Sequence, residues 1–109
     1  MDDVADILER AANRVLPVDG KSRWMRRDNA STRASTQFDS CRVCVDGAIR
    51  WAVTGSPWRG GPEVIAALNL LEDSLDCPVT IWNDDEARDA RHVASVLRKA
   101  ARLARERES

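Results

Sequence analysis

The chain has 109 residues, 43% hydrophobic and 32% charged, which suits a single domain (1–109) with its own core and excludes a disordered segment. No apolar run approaches the ~20 residues that cross a bilayer, and the acidic start Met1-Asp2-Asp3-Val4-Ala5-Asp6 lacks the order of an export signal, so a cytoplasmic setting with no membrane partner is expected. Seventeen basic against 18 acidic residues give a net charge of -1, which excludes coating of nucleic acid by bulk charge and permits only a local basic patch.

Val4, Ile7, Leu8, Ala11, Val15 and Leu16 recur at helical spacing and predict a first helix over about 2–16. Asp2 or Asp3 is its expected cap, and Pro17 with Asp19-Gly20 its stop. Residues 17–39 form an irregular arm in which Asn29 to Thr36 is polar and aperiodic, anchored by Trp24-Met25 and Phe38. A short β-ribbon pairing its flanks is compatible with this pattern. Asp39 and Ser40 cap a predicted second helix over roughly 40–54, apolar around much of its circumference and therefore expected to be central. Gly55 ends it.

Pro62 suits a first helical position, and Val64, Ile65, Leu68, Leu71 and Leu75 predict a third helix ending near Asp76-Cys77-Pro78. Val79-Thr80-Ile81-Trp82 is β-branched and aromatic and reads as a brief extended strip, with Asn83-Asp84-Asp85-Glu86 as a turn. Asp89 caps a last helix over about 90–106, where Val93, Val96, Leu97, Ala100, Leu103 and Ala104 share one side. The expected fold is all-α, four helices with one long irregular connection.

Cys44-Val45-Asp46-Gly47-Ala48-Ile49 and Trp82-Asn83-Asp84 together resemble a group of small proteins of unknown function from actinobacteria and their phages. Members share an N-terminal helix, a Trp-bearing segment matching Trp24, a Cys-x-x-Gly-Ala element and a Trp-Asn-Asp element. The resemblance implies a bacterial or phage cytoplasmic setting, in line with an arginine bias in which Lys21 and Lys99 are the only lysines, and no established activity. The chain departs from the group at its last cap, where Asp89 and His92 stand in place of Thr and Glu, so the reciprocal capping box is expected to be missing.

Several residues carry candidate chemistry. Cys41-x-x-Cys44 has redox spacing, but no strand precedes it as the βαβ setting requires. With Cys77 and His92 the pair would complete a Cys3His zinc set, an alternative to the simpler reading of buried thiols. No catalytic or cofactor-binding set is assembled. Arg91, Arg98, Arg102 and Arg105 form a narrow stripe on the last helix that could meet phosphates, the nucleic-acid alternative. Trp82, Asn83 and Asp84 read as a structural turn with a buried aromatic. Trp24, Arg26, Arg27, Trp58 and Arg59 have interface composition. The leading expectation is a non-enzymatic interaction protein, a phage or prophage product engaging a host protein or a second copy of itself.

Overall fold

A computed structural model describes residues 3–16, 23–25 and 42–108. Among them stand five α-helices: α1 (Val4–Val15), α2 (Val45–Thr54), α3 (Pro62–Leu75), the single turn α4 (Val79–Ile81) and α5 (Ala90–Glu108), with a π-helical turn at Trp82–Glu86. The all-α expectation holds, and the helix number is corrected from four to five by α4.

Helix α1 begins where the Asp3 carboxylate accepts the Asp6 N–H at 2.8 Å. It ends at Leu16, whose extended backbone (ψ 145) is what a residue preceding proline adopts. Ala5, Ile7, Leu8, Ala11, Ala12 and Val15 are fully buried on it, and it packs chiefly against α5 and α2. The centre of the domain is therefore α1, not the second helix. Arg23 reaches back to cap its C-terminal end, donating to the Asn13 and Leu16 carbonyls at 2.7 and 3.0 Å.

Helix α2 is shorter than its apolar pattern predicts. Val43 exchanges hydrogen bonds with Arg23 and Met25 (2.8 and 3.0 Å) in an isolated parallel bridge opposite Trp24. An extended Val43 cannot join a helix, so Cys44 becomes the N-cap, its sulfur accepting the Gly47 N–H at 3.3 Å. The expected caps Asp39 and Ser40 lie outside the described residues. Among the described residues the ribbon between the arm's flanks is one parallel rung. Gly55 closes α2 in the left-handed conformation (φ 81) as expected.

Pro62 opens α3, and Asp76 closes it at φ 59. The strip at Val79–Ile81 is corrected: these residues are helical. The Glu72 carboxylate accepts the Val79 N–H at 2.8 Å, starting a turn where β-propensity alone would favour an extended chain. The chain then widens, with the Ala87 N–H donating to the Trp82 carbonyl at 2.9 Å, an i to i+5 bond. Both Trp82 (7% exposed) and Asn83 (1%) face inward from this turn.

Asp89 caps α5 as expected, accepting the His92 N–H at 2.8 Å. A bond to the neighbouring residue stands beside this cap in place of the reciprocal one. His92 Nδ1 accepts the Arg88 N–H at 3.1 Å, so the imidazole does the work of the absent glutamate one residue earlier along the chain. The imidazole also lies against Trp82, ring centroids 5.4 Å apart.

Asn83 is the polar centre of this packing, so Asn83→Leu is expected to destabilise the fold by about 2–4 kcal/mol, because buried donors are orphaned. In a double-mutant cycle with Trp24→Phe, denaturant unfolding should give a coupling of about 1 kcal/mol or more. Simple additivity would show that the two side chains do not share a bond.

Candidate functional site

The Trp-Asn-Asp element is where distant segments meet. Asn83 Oδ1 accepts from Trp24 Nε1 (2.7 Å) and from the Val45 N–H (3.0 Å). Its Nδ2 donates to the Met25 carbonyl (3.2 Å) and to Asp84 Oδ1 (3.1 Å). All four hydrogen-bonding positions of the amide are filled. The reach of Asn83 is longer than local backbone capping. Asn83 fixes both flanks of the stretch 26–41 and satisfies a first-turn donor of α2.

The interface candidates separate. Trp24 is buried (8% exposed) with its indole N–H given to Asn83, so it is a core residue and its place on a contact surface is corrected. Trp58 is half-buried against the core, and Arg59 is exposed just before α3. Arg26 and Arg27 lie outside the described residues. Sequence reasoning missed Ile65 (59% exposed) and Ile81 (52%), the large apolar side chains that α3 and α4 leave in solvent. The available signal was a run from Val64 to Leu71 without one charge, too apolar for a helix with a single buried stripe.

The arginine stripe also divides. Arg105 is engaged by Glu9 (3.2 Å) and Asp6 (3.6 Å) of α1. Arg98 donates to the Asn13 amide oxygen at 2.9 Å. Arg91, Arg98 and Arg102 line a cleft of about 460 Å³ with Leu16, Ala94 and Ser95. On the neighbouring side of α1, Arg10, Arg14 and Arg23 gather around Trp51, with the Arg14 guanidinium 5.2 Å above the ring.

Of the thiol set, Cys44 is buried, Cys77 is half-buried and Cys41 lies outside the described residues. No group of three or more metal-ligating side chains occurs among the described residues. Burial pushes the Cys44 thiol up to about 11, with Asp46 adding to the rise and the Gly47 N–H opposing it. A redox or nucleophilic cysteine needs the opposite shift. Cys44 in the folded chain at pH 8 should therefore react with iodoacetamide about a hundredfold more slowly than in denaturant, by peptide mass spectrometry, because so little is thiolate. Equal rates would contradict the buried thiol.

Among the described residues no helix is long and apolar enough to cross a membrane. No curated protein and no solved structure matches the chain. The sequence profile of a family of unknown function matches residues 1–103, and the chain belongs to that family, DUF6197.

Proposed function

We propose that the chain is a non-enzymatic protein-interaction module whose partner at the outer face of α3 is a second copy of itself. The observation that carries this reading is Ile65, 59% exposed on a helix that bears no charge from Val64 to Leu71. Val64, Ala67 and Leu71 face the core, while Ile65 and Ala66 face outward. Charge selects the partner. Arg59 lies just before α3, whose first turn carries Glu63 against the helix dipole, while Asp73 and Asp76 lie at the other end. A two-fold antiparallel pairing sets each Arg59 against the partner's Asp73 and Asp76, and such a surface is self-complementary.

The 14-residue helix is about 21 Å long, so one face buries less than the roughly 800 Å² per partner of a standard interface. The pairing is accordingly weak and concentration-dependent. The proposed setting is the cytoplasm of an actinobacterium or its phage, supported by the arginine bias. A host protein presenting a similar apolar helix would compete for the same face.

Sedimentation over a concentration series should show a monomer–dimer equilibrium that Ile65→Glu abolishes without changing thermal stability. Arg59→Asp and Asp73→Arg should each weaken the dimer and restore it when combined. A chain monomeric at every concentration, or a dimer indifferent to Ile65→Glu, would defeat the reading.

A further inference from the structure

We propose that the cleft between the end of α1 and the first half of α5 is a binding site for a small phosphorylated ligand, held by Arg91, Arg98 and Arg102. At about 100° per residue, Arg91, Ser95, Arg98 and Arg102 fall within a sector of about 60° on α5. Ala94 and Ser95 are short, and between the arginines they leave the recess of about 460 Å³ open against the Leu16 wall. That size lies within the range of sites for small organic molecules.

Among the described residues no carboxylate pairs with the charges in the recess. Arg98 is held by a neutral oxygen, Asn13 Oδ1, and not by a carboxylate. Arg91 and Arg102 make no ion pair with any described residue, whereas Arg105, one turn further along the same stripe, is engaged by both Asp6 and Glu9. Helix α1 therefore supplies acids to the far end of the stripe and an amide to the near end. The amide orients a guanidinium without neutralising it, which leaves its remaining N–H donors for an incoming anion.

Three guanidiniums suit the oxygens of a phosphate monoester or anhydride, which they can grip bidentately, and the Ser95 hydroxyl adds a donor between them. The apolar edge from Leu16 and Ala94 fits the organic part of such a ligand. A nucleic-acid track is disfavoured because the stripe stops being free at Arg105 and the chain carries a net charge of -1.

The test is calorimetric titration of the full chain at low salt with pyrophosphate, AMP and glucose 6-phosphate, beside a short single-stranded oligonucleotide. At least one of the three small phosphates should bind with Kd below about 1 mM. AMP or glucose 6-phosphate exceeding pyrophosphate would identify the organic part as a further contact. Arg98→Ala and Arg102→Ala should each weaken binding about tenfold or more, since a charged hydrogen bond is lost. Arg105→Ala, already paired elsewhere, should leave it within about twofold. The proposal is overturned if none of the three binds, if only the oligonucleotide binds, or if Arg105→Ala costs as much as Arg102→Ala. Circular dichroism of each exposed-site variant confirms that the fold is intact.

Discussion

The carboxamide of Asn83 is the constraint on which the rest of the domain is arranged. It sits 1% exposed inside an aliphatic core and holds residues 38 to 59 positions away in sequence. A polar group in that place is tolerated only when every hydrogen bond is made, because a lone buried donor costs more than a satisfied one contributes. The π-helical turn is what aims it inward beside Trp82. From that placement follow the burial of the Trp24 indole, the pairing of Met25 with Val43, and the start of α2 at Val45 instead of earlier. Asp84, at its side, holds the amide in the orientation that all of these need.

Once the core is closed in this way, the arginines take up the remaining polar work, and they do so in different manners. Arg23 caps the end of α1, and Arg10 donates to the Ala52 carbonyl at 3.0 Å. Arg14 lies inside, its guanidinium over Trp51. Arg105 pairs with acids in solvent, where such pairs contribute little to stability. A net charge near zero hides this sorting, since it sums over faces that differ in sign. The recess bounded by Arg91, Arg98 and Arg102 emerges only when the partners of each are known.

Helical pitch made most of the architecture legible. The stripe Val93, Leu97, Ala100 and Ala104 is buried as its spacing indicates, and Asp3 and Asp89 cap the helices they precede. What failed depended on contacts between distant residues. Trp24 reads as an exposed aromatic beside arginines until its partner, 59 positions away, is known. Val79 to Ile81 has strand chemistry, yet the Glu72 carboxylate turns it into helix, a tertiary override of a weak local preference. The exposure of Ile65 is not legible because a run apolar on every side does not show which side turns inward. Among the site residues, the stripe on α5 was visible from periodicity alone, while its division between paired and open arginines was not.

The electrostatics of the interior also bear on where function resides. A thiol at a helix N-terminus is the usual starting point for a reactive cysteine, and Cys44 has that position. Its surroundings reverse the effect: burial outweighs the Gly47 N–H, and Asp46 repels the thiolate further. The sulfur therefore serves as a cap and as packing. The buried amide of Asn83 is likewise occupied in joining segments. On the outside stand the apolar Ile65 of α3 and the arginines of α5. Two surfaces of such different chemistry on one small scaffold are what the proposed pairing and the proposed ligand site would each use.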